Sequence, residues 1–385
     1  MDTVQLETMF ANLYGNSETR VFFAPGRVNL IGEHTDYNGG YVLPCALSFG
    51  TTLILRKNKL NRIRLATTNF DFRADLPWAE IGDKVGNEWI NYPLGVLLQF
   101  KQRGFNIGGV DMLFSGNIPN GAGLSSSASI EMVTAIAIDD LLDIKMDRVE
   151  LIKLCRAAEN QFVGMNCGIM DQFAVGMGHK NSALFLNCRS LEYKIIPMNI
   201  GGFSLVIANT NKRRELAASK YNERVSECST ALKVLRQVKP MADLTDMSIA
   251  EFSGLEYLFE DTTIFKRAKH VISENDRVLQ AVSALSSGNL TLFGELMNQS
   301  HISLRDDYEV TGFELDSIVS AAWNTKGVLG ARMTGAGFGG CSVNLVKDSV
   351  VQDFISNVAS AYNSLTGLTA EFYNASLGDA AGKVD

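Results

Sequence analysis

The amino-acid sequence predicts an α+β protein built from two closely packed domains, and three observations carry that expectation. At 385 residues the chain is more than twice the ~150 residues of a common domain. Its first part mixes short β-type runs with single helices, whereas its second part is mostly helical and closes as strand, glycine loop, strand, helix, strand. No repeat, low-complexity tract or Pro/Ser linker interrupts it, so the expected domains, 1–195 and 196–385, should pack on each other rather than hang as beads.

In chain order, an opening helix is expected over 3–14, β-type runs at 20–24, 41–46, 50–57 and 61–68, and a helix over 88–103. GGVDMLFSG at 108–116 reads as a strand. After a Gly/Pro/Asn turn, 125–142 carries apolar residues on almost every face, the pattern of a buried helix. An amphipathic stretch follows at 147–164, and then a short helix at 169–177 after Gly168. ALFLNC, YKIIPM and FSLVIAN read as three successive strands. The stretches 214–238 and 248–325 are mostly helical, with solvated charged faces such as KYNERVSEC. GVLGARM and CSVNLV are strands flanking TGAGFGG, followed by a helix at 349–364 and a last strand at 367–374.

Composition removes several function classes. Lys and Arg total 35 against 42 Asp and Glu, a net charge of -7, which is the wrong sign for neutralising a nucleic-acid backbone. The opening MDTVQLETMF has no basic patch before an apolar stretch, and no run approaches the ~18 apolar residues that span a bilayer. Six scattered cysteines without C-x-x-C spacing read as reduced thiols. A cytoplasmic protein that binds neither nucleic acid nor membrane is therefore expected. The excess lies in glycine: 34 residues, about 9% against a typical ~7%.

The chemistry is concentrated in four segments. In SGNIPNGAGLSSSASIEM, 115–132, Gly121 and Gly123 allow close backbone approach, and Ser125, Ser126 and Ser127 stand where a helix begins. N–H groups and the positive end of the helix dipole converge there, a place suited to an anion. It is not a Walker loop, because Ala122 stands where the lysine belongs. A simple N-cap would use one serine and leaves the others unexplained. TGAGFGG, 334–340, satisfies G-x-G-x-x-G, but the strand that follows argues against a dinucleotide site and leaves a tight glycine hairpin as the plain alternative. PGRVNLIGEHTDYNGG, 25–40, gathers Arg27, Glu33, His34 and Asp36, a dense donor and acceptor set for a polyol. Metal ligation and a capped, solvated turn remain open for it. RAAENQFVGMNCGIMDQF, 156–173, places Glu159 on a helix and Asp171 in the first turn of the next, a common position for a mere cap.

Together these segments resemble the GHMP small-molecule kinases. PNGAGLSSSAS is similar to the shared nucleotide motif of that family and TGAGFGG to its C-terminal glycine motif. PGRVNLIGEHTDYNGG followed by VLP is similar to the more specific signature of its galactose-phosphorylating branch, and ENQFVGMNCGIMDQ is a fourth match. The resemblance implies an N-terminal domain like domain 2 of ribosomal protein S5, a C-terminal ferredoxin-like domain, and an active site between them. It implies ATP-dependent phosphorylation of α-D-galactose at the anomeric hydroxyl, by a chain expected to act as a monomer. Glu33, His34, Thr35, Asp36, Gly168, Asp171 and Tyr221 would hold the sugar. Thr67, Gly121, Ala122, Gly123, Leu124, Ser125, Ser126 and Ser127 would hold ATP, and Ser127 and Glu159 would hold Mg2+. Asp171 would be the base and Arg27 the transition-state partner. A kinase of the same fold acting on another galactose-like sugar, and a sugar-sensing regulator without turnover, are the competing expectations.

Overall fold

The computed structural model describes residues 3–119, 121–212 and 217–384. Asn120 of the serine loop and residues 214–216 of the helix expected over 214–238 lie outside the described residues. No described helix is long and apolar enough to cross a membrane.

The chain is α+β. Among the described residues, the first sheet runs in the order Gly382–Lys383, Arg20–Asn29, Pro44–Asn58, Gly109–Gly116, Arg62–Thr67, Ala74–Pro77. All its pairings are antiparallel except that of Arg62–Thr67 with Gly109–Gly116. Alternation along Pro44–Asn58 sends Leu53 and Leu55 to one face, under the helices Asn91–Gln102, Ser126–Leu142 and Met170–Met177, and Ile54 to the other, under Leu6 and Phe10 of the helix Thr3–Tyr14. Ser126–Leu142 is buried from Ala128 to Ile138 apart from Ile130, as its apolar faces require.

A second sheet, in the order Val328–Thr334, Cys341–Lys347, Phe203–Asn209, Glu371–Asn374, is antiparallel throughout. The helices Gly312–Trp323 and Val351–Thr366 cover one face through Ile318, Phe354 and Val358. The opposite face, with Leu205, Ile207, Val343 and Leu345, enters a core shared with Leu30, Ile31 and Leu43 from the first half. The final strand was not legible in the sequence: Gly382 and Lys383 return to pair with Phe23 and Phe22. The C-terminus thus closes the N-terminal sheet, and buried apolar surface common to both halves sets the cleft between them.

Candidate active site

TGAGFGG is a hairpin loop, joining strands that pair Thr334 with Cys341, so a Rossmann reading is excluded. It abuts the serine loop. A Cβ on Gly335 (φ 86°) would stand 2.8 Å from Gly123 O, so only glycine lets the two loops meet. Around that meeting point lies a cleft of about 230 Å³.

Ser125 precedes the helix Ser126–Leu142 in a left-handed conformation (φ 60°) and makes no side-chain cap. Its hydroxyl donates to Asp171 Oδ2 instead, so the capping alternative fails and the first turn keeps its N–H dipole end toward the cleft. Asp171 likewise does more than cap its own helix. Arg27 Nε donates to Oδ1 at 2.9 Å and Nη2 to Oδ2 at 3.0 Å, while Nη1 donates to Gly123 O at 2.7 Å. This bidentate grip fixes the carboxylate between sugar signature and serine loop.

Glu33 lies at the cleft wall but is 1% exposed. It accepts from Gly335 N at 2.6 Å, Thr334 Oγ1 at 3.2 Å and Arg332 Nη1 at 3.1 Å, and from Asn29 Nδ2. Burial pushes its carboxyl up from the usual range, opposed first by Arg332. His34 is buried at φ 64°. Asp36 faces Gly168 so closely that a Cβ on that residue would stand 1.9 Å from Asp36 Oδ2, which explains the glycine there. Tyr221 closes the wall, its ring 5.6 Å from that of His34.

Three expected ligand residues keep their side chains out of the cleft. Thr35 does not line the cleft. Its hydroxyl donates to Gly32 O (2.8 Å) and Tyr41 O (2.7 Å), because closing this tight turn leaves carbonyls that need a donor. Ala122 and Leu124 turn their side chains into the shared core. The Ala122 N–H is taken by Pro119 O and the Leu124 carbonyl by Arg27 N, so they shape the serine loop from behind.

Burial, and then the nearby Asp171, push Asp36 up to about 7. Folded Asp36 therefore holds a proton that the unfolded chain releases, and its contribution to stability falls as pH rises from about 4 through about 7. Asp36→Asn should unfold at a higher temperature than the unaltered chain at pH 8, the difference vanishing near pH 4. Parallel melting profiles of the two proteins would contradict this.

Glu159 lies in a π-helical turn, Ala158–Val163, that interrupts the helix expected over 147–164. Burial, then Asp171, raise its carboxyl to about 7, against hydrogen bonds from Ser127, Cys167 and Gln172. The hydroxyl and carboxylate of Ser127 and Glu159, near a second carboxylate and the phosphate end of the serine loop, suit Mg2+, which takes few protein oxygens and completes its shell with phosphates and water.

Ser126 and Ser127 also border a second pocket of about 210 Å³, where Thr67 lies with Phe70, Trp89, Tyr92 and Phe114. This aromatic pocket and the anchoring Arg332 were missed in the sequence. Arg332 was detectable as a lone charge inside the apolar strand GVLGARM, whereas the aromatics come from separate elements with no shared pattern.

A serine loop at a helix N-terminus, a glycine hairpin, a fixed Arg–Asp pair and an adjoining polar cleft fit the GHMP kinases that the four sequence segments resemble. Family models match in order: the galactokinase galactose-binding signature over 8–57, the GHMP kinase N-terminal domain over 91–179 and the GHMP kinase C-terminal domain over 281–364. The chain is 50% identical to a galactokinase of Clostridium tetani, over 98% of this chain and 97% of that one, and 48% identical to one of Bacillus subtilis, over 98% of each. The crystal structure of Lactococcus lactis galactokinase complexed with galactose superposes with a TM-score of 0.97 at 43% identity, covering 99% of both chains. A mevalonate kinase, at 20% identity and a TM-score of 0.67, shares the fold. The chain belongs to the galactokinase family.

Proposed function

We infer that this enzyme transfers the γ-phosphoryl group of ATP to the anomeric hydroxyl of α-D-galactose, giving α-D-galactose 1-phosphate and ADP. The observation that carries this reading is the Arg27–Asp171 pair, held by Gly123 O and Ser125 where the sugar-signature wall meets the serine loop.

The adenine fits the aromatic pocket beside Thr67, with base stacking available from Trp89 or Tyr92. The phosphates then run over Ser126 and Ser127 onto the helix end, where backbone dipoles meet anionic charge without a lysine. Ser127 and Glu159 would hold Mg2+, which would supply positive charge to offset the phosphates. Galactose occupies the cleft against Glu33, His34, Asp36, Gly168 and Tyr221, its anomeric hydroxyl at Asp171. Positioning and charge neutralisation are most of what phosphoryl transfer asks. The cleft is lined by residues of one chain, which supports action as a monomer, and Cys45, Cys155, Cys167, Cys188, Cys228 and Cys341, none of them in a disulfide among the described residues, suit a reducing cytoplasm.

Selectivity follows from the carboxylate wall. Buried polar groups that match one hydroxyl arrangement are left unpaired by an epimer, a difference that reaches about 10^4 to 10^5 in kcat/KM. A coupled assay of ADP release should show rapid turnover with galactose and little with glucose. Comparable kcat/KM values for the two sugars would defeat the reading, and absent turnover with galactose would leave only a binding role.

A further inference from the structure

A buried chain of hydroxyls reaches from the helical half to His34. His34 Nδ1 lies 2.8 Å from Tyr37 Oη, Tyr37 Oη lies 2.7 Å from Tyr308 Oη, and Tyr308 Oη lies 3.0 Å from Cys228 Sγ. Tyr308 is fully buried and its ring lies 4.8 Å from that of His34, tilted 43° to it. The other ring nitrogen, His34 Nε2, is buried and has no hydrogen-bond partner among the described residues, and His34 is one of the residues that line the cleft.

We propose that Tyr37 and Tyr308 are positioning residues that fix the tautomer of His34, so that Nε2 carries the proton and donates to a hydroxyl of the bound sugar. The proposal deepens the galactose reading and rests on it for the identity of that hydroxyl. Burial lowers the His34 imidazole to about 3 and raises the Cys228 thiol to about 11, so the ring is neutral, with one N–H and one lone pair, and the thiol keeps its proton. Three protons then match three acceptors: Cys228 S–H to Tyr308 Oη, Tyr308 O–H to Tyr37 Oη, and Tyr37 O–H to His34 Nδ1.

The opposite direction also balances within the chain, and the surroundings of Nε2 decide between the two. Glu33, which accepts from Gly335 N, Thr334, Arg332 and Asn29, and Asp171, which accepts from Arg27 and Ser125, border the same cleft as acceptors. A sugar hydroxyl that donates to one of them still has lone pairs in need of a donor, which Nε2–H supplies. A lone pair on Nε2 would instead add one more acceptor to an acceptor-rich wall.

The sequence contains only four histidines, so nitrogen-15 spectra of histidine-labelled protein can report the tautomer, with His34→Asn identifying the His34 signals. The sugar-free enzyme should show the Nε2–H pattern at His34. Tyr37→Phe should mix the tautomers and raise the galactose KM about tenfold, the effect of one lost hydrogen bond, while kcat and the ATP KM stay within about twofold. Tyr308→Phe should shift both readouts in the same direction by less, and it decides the matter if Tyr37→Phe does not fold. An Nδ1–H pattern in the unaltered enzyme, or unchanged tautomer and galactose KM in both variants, would overturn the proposal. Because the spectrum needs no sugar, an Nε2–H pattern without galactose turnover supports the relay and counts against the substrate.

Discussion

Asp171→Asn should bind galactose within a few-fold of the unaltered enzyme and lose about 10^2 to 10^4 in kcat. A sugar hydroxyl is a far weaker acid than a carboxylic acid of reference pKa about 3.9, and each unit of mismatch costs about 1.36 kcal/mol. Asp171 therefore cannot strip the proton before reaction. In the proposed base role it would take the proton late, as the oxygen bonds to phosphorus and its acidity rises. The geometry suits that timing, because Arg27 grips both carboxylate oxygens at 2.9 and 3.0 Å and Ser125 holds Oδ2, so the base waits in place with no reorganisation. Asparagine preserves size and a hydrogen-bonding oxygen but cannot accept the proton. Calorimetry of galactose binding, paired with steady-state rates, separates the two effects. Near-normal turnover in Asp171→Asn would remove the base assignment.

Arg332→Leu should destabilise the protein by about 3–5 kcal/mol, the cost of removing one partner from a buried ion pair. That is a large share of the ~5–15 kcal/mol that holds a typical fold. Arg332 has no solvent exposure, and its Nη1 donates to Glu33 Oε2 at 3.1 Å and to Asn29 O at 3.2 Å. Those bonds tie the second sheet to the sugar signature. Without the guanidinium, burial pushes the Glu33 carboxyl up unopposed by its chief counter-charge. Pairing the change with Glu33→Leu should cost less than the sum of the two single changes, since no lone charge stays buried. Urea unfolding of the four proteins measures the cycle. Additive losses, or an unchanged midpoint in Arg332→Leu, would show that the pair carries no coupling.

Much of the fold was legible locally. The buried helix 125–142 appears as Ser126–Leu142, and the strands around TGAGFGG appear as Val328–Thr334 and Cys341–Lys347. Both depend on hydrophobic period and glycine turns, which are properties of neighbouring residues. The helix expected over 147–164 departs from regularity where Glu159 stands, in a π turn that no period announces. Gly382–Lys383 is too short to carry a strand signal and pairs only because Arg20–Asn29 offers a free edge position.

For the site, the sequence alone identified the kinase family and offered the serine loop, the sugar signature, Arg27 and Asp171 as candidates. The loop and the signature are contiguous motifs whose turns and helix dipole act over a few residues. The tertiary structure alone decided that the side chains of Thr35, Ala122 and Leu124 turn away from the cleft, that Glu33 leans on a strand 299 residues away, and that Tyr308 reaches Tyr37 across 271 residues. Those contacts exist because packing two sheets against a shared apolar core brings distant polar groups into one low-dielectric cleft, where burial obliges each to find a partner.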